Sequence, residues 1–232
     1  DNKPLMTKYT LSKDVLDIGF FTANLDDTLE FWNRELGLLS EEPVPYNDGL
    51  RQFRLPFKNT IIKVNCSEKK LAKPPTGYSE LYLAVENISS PKTIVNPDGE
   101  LITLVPVGFK GIKETAIKVK VNNLKSHANF YENVMGFKRK DDRTFQVGNC
   151  FLFLDEVEEK LFAGHWVNLG FRYLTLHVMK IDETFSGMVA AGAEVGEEPY
   201  AIGDIAKISF LKDPDGNWIE VAQRASLAGP WD

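Results

Sequence analysis

Two stretches of this chain align without a gap at a constant offset of 99 residues: Asn24-Leu25, Phe31-Trp32 and Gly37-Leu38 face Asn123-Leu124, Phe130-Tyr131 and Gly136-Phe137. A repeat of this length predicts one small unit built more than once, not a single open sheet. Each copy opens on an alternating strand. Leu16, Ile18 and Phe20 in one, and Ile117, Val119 and Val121 in the other, point to one face because a strand has period two. A helix is predicted next. Asp27 is placed to cap the first, with Glu30 three residues on. Leu29, Trp32 and Leu36 then fall at helical spacing, and Gly37 and Gly136 stand where a helix should end. Strands Gln52–Leu55 and Thr60–Val64 follow in the first copy, Thr144–Val147 and Cys150–Leu154 in the second.

A second motif is also doubled. Asp213-Pro214-Asp215-Gly216-Asn217 is a tight turn before the alternating strand Trp218-Ile219-Glu220-Val221, with Glu220 on the face opposite Ile219 and Val221. Asn96-Pro97-Asp98-Gly99-Glu100 leads into Leu101-Ile102-Thr103-Leu104 in the same way, with Thr103 at the carboxylate's place. Further units start at Glu80–Val85 and Tyr173–Val178. The last has a helix near Glu183–Ala191, ending in Gly192. In the second only Ser89-Ser90-Pro91-Lys92 separates the strands, so its helix reads as deleted. The linkers are Lys69–Gly77 and Gly108–Gly111, and Glu156–Leu169 is a long loop. The predicted architecture is α+β: tandem βαβββ units, four in number, the second lacking its helix. They form curved mixed sheets with helices on the outer face and a concave face open to a ligand. The halves are expected at 1–108 and 109–232. Which units pair is left open.

Composition narrows the partners. The 232 residues are 43% hydrophobic and carry a net charge of −6, which argues against nucleic acid. No apolar run approaches a membrane span and no signal-peptide pattern opens the chain, so a cytoplasmic protein, monomer or homodimer, is expected. Cys66 and Cys150 form no metal motif and read as reduced, buried thiols.

The repeat, the Asp213–Val221 motif and Asn24-Leu25 followed by Phe31-Trp32 resemble the vicinal oxygen chelate superfamily, which includes glyoxalase I, bleomycin-resistance proteins and extradiol dioxygenases. The resemblance covers nearly the whole chain. It implies metal ligands on the first strand of a unit, usually His or Gln, and a Glu on the closing strand. The first-strand positions fall here at Asp17, Glu80, Ala116 and Tyr173, and the closing positions at Lys63, Thr103, Phe153 and Glu220. Only Glu220 matches. Lys63 puts a cation where a metal would lie, so no metal or other cofactor is expected. Asp17 and Glu220 are the fallback ligands of an alternative metal-dependent lyase or ring-cleavage dioxygenase, and a non-catalytic sequestering protein is a third reading.

The resemblance thus implies a small organic ligand on a concave sheet. Glu220, Tyr173 and Lys63 are the candidate proton-transfer residues. Asp17, Glu80, Tyr82, Thr175, His177 and Trp218 are the candidate ligand contacts, grouped by strand parity. A plainer reading makes Glu220 a buried partner of Lys63 or Tyr173. His177 reads as a hydrogen-bonded structural residue or a lining one, His127 as exposed on a helix, and His165 as a loop residue beside Trp166. Lys118 and Lys120 share the face of Ala116 and read as solvated. Arg172 should point away from Tyr173's face.

Overall fold

A computed structural model describes residues 8–46 and 49–231. Each unit has the expected order. The first runs β1 (Asp17–Phe21), α1 (Leu25–Leu36), β2 (Val44–Pro45), β3 (Leu50–Phe57) and β4 (Thr60–Ser67). The second has strands alone: β5 (Tyr78–Val85), β6 (Lys92–Val95) and β7 (Leu101–Pro106). The third has β8 (Thr115–Val121), α2 (Leu124–Asn129), β9 (Lys138–Arg139), β10 (Thr144–Val147) and β11 (Cys150–Glu156). The fourth has β12 (Gly170–His177), α3 (Ile181–Ala190), β13 (Glu194–Ile202), β14 (Ala206–Lys212) and β15 (Trp218–Arg224).

The units pair one with four and two with three. The first sheet has the order β13-β14-β15-β12-β1-β4-β3-β2, the second β6-β7-β5-β8-β11-β10-β9. Each sheet therefore takes strands from both halves of the chain. The junctions are antiparallel, β1 with β12 and β5 with β8, whereas the opening and closing strands within a unit run parallel.

One apolar core joins the convex faces of both sheets to the helices. Ile18, Val64, Leu174 and Ile219 from the first sheet meet Leu81, Ile102, Ile117 and Leu152 from the second. Trp32, Tyr131 and Met188 of the helical segments complete it. Odd and even positions on each strand thus have opposite fates, and the polar parity is left for the concave faces.

The first helix starts two residues before the expected Asp27 cap. Asn24 precedes it, and neither side chain closes a capping box. Thr22 anchors the start instead: its Oγ1 accepts the Asn24 N–H at 3.0 Å and lies 2.9 Å from Thr28 Oγ1. Asp26 and Asp27 sit in the first turn, where the helix dipole favours them. In α2 the Asn123 side chain does cap, accepting from Ser126 N–H at 2.8 Å. Gly37 ends α1 at φ 66°, a left-handed conformation that a Cβ disfavours.

The two closing turns share one hydrogen-bond plan. Asp213 Oδ1 accepts from the amides of Asp215 and Asn217, and Asn96 Oδ1 accepts from those of Asp98 and Glu100. His127, expected at the surface, is fully buried beneath the Asp213 turn. Its Nδ1 lies 2.9 Å from the Asn123 carbonyl and its Nε2 3.3 Å from Asp215. A packing partner 86 residues downstream decided this, and helix periodicity does not see it.

Candidate functional site on the first sheet

The concave face of the first sheet carries a continuous polar cluster. Strand register builds it. Asp17 is opposite Thr175, Gly19 is opposite Tyr173 and level with Lys63, Thr175 is level with Glu220, and Lys63 is opposite Arg54. Lys63 Nζ lies 3.0 Å from Glu220 Oε1 and 2.8 Å from Thr175 Oγ1, and it faces the Tyr173 ring at 5.6 Å. Thr175 Oγ1 reaches the same Glu220 oxygen at 3.1 Å. All four side chains are buried. Burial pulls the Lys63 ammonium below its ordinary value, against the opposing pull of Glu220 and Asp17.

The registers give a rule that holds in all four units. The closing position is level with the residue two after the opening one: Gly19 with Lys63, Tyr82 with Thr103, Lys118 with Phe153, and Thr175 with Glu220. Thr175 is therefore Glu220's direct neighbour. Tyr173 sits one step away, and its hydroxyl accepts from Asn65 Nδ2 at 3.1 Å and Gln52 Nε2 at 3.3 Å. Burial, then the Glu220 charge, raise the Tyr173 phenol well above its ordinary value and keep it neutral.

Asp17 is saturated. His177 Nε2 lies 2.6 Å from its Oδ2, while Lys13 Nζ at 2.6 Å and the Ile61 amide at 2.8 Å serve its Oδ1. These partners hold Asp17 far below the usual carboxylate range against its burial. His177 is pushed down by burial. Its Nδ1 is buried without a partner, which fits a neutral ring donating through Nε2.

Glu80 and Tyr82 do not join this cluster. They lie on the second sheet, because unit two pairs with unit three. There Glu80 Oε1 accepts from Thr103, while its Oε2 accepts from Tyr82 at 2.9 Å and lies 3.0 Å from Lys118 Nζ. Lys118, expected to be solvated, thus forms an ion pair. Each concave face carries a Lys–Glu pair, but the Lys63–Glu220 side chains are 4% and 6% exposed and those of Lys118 and Glu80 36% and 12%.

Trp166 roofs part of the first face. It stacks on Phe210 at 4.7 Å and meets Tyr173 and Phe21 edge-on at 5.6 and 5.7 Å, and its indole N–H donates to Glu197 at 2.8 Å. Arg172 braces that loop through the carbonyls of Pro74, Ala163 and His165. Trp218 packs under it, with its indole N–H on the Gly164 carbonyl at 2.7 Å and His165 against its ring at 5.1 Å. Beside Trp166 a cavity of about 430 Å³ opens between Tyr46 and Leu50 on one side and Tyr200 and Ile202 on the other. Clefts of about 590 Å³ along α2 and about 410 Å³ by residues 73–79 contain none of these groups.

A family-type divalent site needs three oxygen or nitrogen donors converging on an open position. Here Lys63 Nζ stands between Thr175 and Glu220, Asp17 is fully engaged, and Tyr173 is turned to Asn65 and Gln52. Among the described residues no three His, Cys, Asp or Glu side chains converge. This donor set does not fit a metal.

The profile of the Glyoxalase/Bleomycin resistance protein/Dioxygenase superfamily matches residues 112–221. These residues are similar to that superfamily. The likeness in fold to solved structures extends over most of the chain. Glyoxalase I from Zea mays superposes with a TM-score of 0.67 at 14% identity, covering 90% of this chain and 92% of that one. A putative dioxygenase from Bacillus subtilis superposes with a TM-score of 0.65 at 12% identity, covering 97% and 86%. No curated protein matches the sequence. At these identities the likeness concerns the fold. No helix among the described residues is long and apolar enough to cross a membrane.

The sequence does not single out Asn65, Gln52, Arg54 and Tyr46, and it marks Trp166 only as a loop neighbour of His165. Asn65 and Lys63 alternate with the apolar Ile62 and Val64, so parity along that strand marks them as concave-face residues. Tyr46 and Trp166 come from loops and carry no such mark.

Proposed function

We propose that this chain binds a small organic molecule in the 430 Å³ cavity of its first sheet, without the superfamily's metal. The observation that carries this reading is Lys63. Its Nζ, 3.0 Å from Glu220 and 2.8 Å from Thr175, stands among the ligand positions of the family. The cavity volume lies in the range of small-molecule sites. Its wall is mostly aromatic and apolar, with Tyr46, Trp166, Leu50 and Ile202. Tyr46 and Tyr200 are both raised by burial, with Glu220 a further contributor, so they present neutral hydroxyls to a ligand.

Any proton transfer falls to the Lys63–Glu220 pair, whose side chains are in contact at 3.0 Å. Binding without turnover uses the same cavity and is distinguished by recovering the ligand unchanged. Elemental analysis of protein purified without chelators, then soaked with Zn, Ni, Fe or Mn, tests the reading. Metal far below one equivalent is expected in each case. One equivalent that disappears in Glu220→Ala overturns it.

A further inference from the structure

The cavity beside Trp166 is walled by a single carboxylate and three aromatic side chains. Glu197 lines it, and no lysine or arginine does. Tyr46, Trp166 and Tyr200 line it as well.

Strand register brings these groups together. Glu197 and Tyr200 are three residues apart, so a regular strand would aim them at opposite faces. The register slips between them. Glu197 is opposite Phe210 and Tyr200 is opposite Ile208, three steps along β13 against two along β14. Phe210 and Ile208 share one face of β14 and pack in one cluster with Trp166. The bulge therefore turns both β13 side chains toward the cavity, a use of bulges that recurs beside functional sites. On the other side, the Tyr46 N–H donates to the Leu50 carbonyl at 2.9 Å and fixes that wall.

No lysine or arginine among the described residues pairs with Glu197. Its Oε1 accepts the Trp166 indole N–H at 2.8 Å, and His165 Nε2 is 3.6 Å away. Burial pushes His165 below its ordinary value, so the ring is neutral at pH 7. Cations close by are matched elsewhere: Lys63 by Glu220, Arg54 by Glu41 at 3.7 Å and Lys212 by Glu194 at 3.1 Å. Arg224 acts on Tyr46 but does not line the cavity. A part-buried carboxylate among aromatic rings favours a positive guest. Ring faces attract cations, and the carboxylate supplies the counter-charge.

We infer that the ligand is a small organic cation, an amine or a quaternary ammonium compound, with its charge on Glu197 and its apolar body among Tyr46, Trp166 and Tyr200. This rests on the cavity being the ligand site, and the test separates the two. Choline, phenethylamine and tryptamine are titrated by protein-observed NMR into the wild-type chain and into Glu197→Gln and Leu50→Trp. Each is paired with its neutral counterpart: dimethylbutanol, phenethyl alcohol and tryptophol. At least one cation is expected to bind about tenfold or more tightly than its alcohol. Glu197→Gln keeps an acceptor for the Trp166 indole and should abolish that preference. Leu50→Trp fills the cavity and should abolish binding of all six compounds. Alcohols that bind as tightly as the cations, and are lost in Leu50→Trp, overturn the cation assignment and leave the cavity as the site. A cation preference that survives Glu197→Gln also overturns the assignment. Binding that persists in Leu50→Trp places the ligand elsewhere and overturns both, as does no binding by any of the six. The comparison of cation with alcohol needs no variant, so it decides even where Glu197→Gln fails to fold.

Discussion

Lys63 and Glu220, 157 positions apart in sequence, form a buried ion pair 3.0 Å long across the middle of the first sheet. Units one and four meet there, so the pair ties the two ends of the chain together. Each member would be expensive alone. Removing one partner from a buried pair costs about 3–5 kcal/mol, because the other charge is left without compensation. Lys63→Met and Glu220→Met should each lower the urea-unfolding free energy by about that much, and the double variant by clearly less than the sum. Single losses below about 1 kcal/mol would show that water reaches the pair and screens it.

The Asp17–His177 contact gives stability a pH dependence. His177 is buried and neutral, with its folded pKa below the unfolded value. Below about pH 6.5 the unfolded chain takes up a proton that the folded ring refuses. Stability from this residue is therefore present at pH 7.5 and falls as pH drops toward the folded pKa, by at most about 1.4 kcal/mol per unit. His127 works in the opposite sense, since Asp213 and the Asn123 carbonyl raise it despite burial, and its stabilisation is lost as pH rises. Comparing wild type with His177→Gln cancels that second slope. The difference in unfolding free energy between the two proteins should change steadily between pH 7.5 and 5.5. A flat difference would mean that folding leaves the proton affinity of His177 unchanged, and a change of the opposite sign that the ring is charged in the fold. Asp17, strongly depressed, adds a further loss only in stronger acid.

Gly19 is required by a ring, not by a turn. A Cβ built there would lie 2.4 Å from two carbons of Tyr173, so the phenol ring covers the bare backbone of β1. Gly19→Ala must push Tyr173 aside and loosen its hydroxyl from Asn65 and Gln52. The expected cost is about 1–3 kcal/mol, typical of overpacking. Tyr173→Phe keeps the ring and removes only the hydroxyl, at about 1 kcal/mol. Thermal unfolding of both variants checks the order; equal melting temperatures for Gly19→Ala and wild type would sink the argument.

What could be read from the residues was local. The 99-residue offset, the trimmed second unit and the closing turns are short-range signals, and each survives in the fold with shifts of a few residues. Unit pairing is a long-range choice made by strand edges that all look alike in sequence. Strand parity alone therefore groups Glu80 and Tyr82 with Glu220, although they belong to the other sheet. A motif position carries no register, so the motif sets Tyr173 beside Glu220, whereas the register gives that place to Thr175. Arg54 and Glu197 are hidden for a related reason. A charged residue at a strand position looks solvated until the fold shows which face it lies on.

The repeated turns offer a test of how far the two copies have diverged. Asn96 and Asp213 hold equivalent places and each accepts two backbone amides. Asp213 has further duties. Its Oδ2 also accepts from Asn217 Nδ2 at 2.8 Å and Tyr131 Oη at 3.3 Å, with His127 Nε2 at 3.6 Å. Asn217 in turn receives the Gly77 amide at 2.7 Å, and so connects the turn to the linker. Asp213 is 1% exposed, and its loss would leave Tyr131 and Asn217 with unmet polar groups in a buried place. Asn96→Ala should cost about 1 kcal/mol, the scale of a lost turn contact. Asp213→Ala should cost at least about 3 kcal/mol, since a charged network is broken on one side only. Urea titration at pH 7 measures both. Equal costs would mean that the contacts to α2 and the linker add nothing, and that the two turns still act as copies of one another.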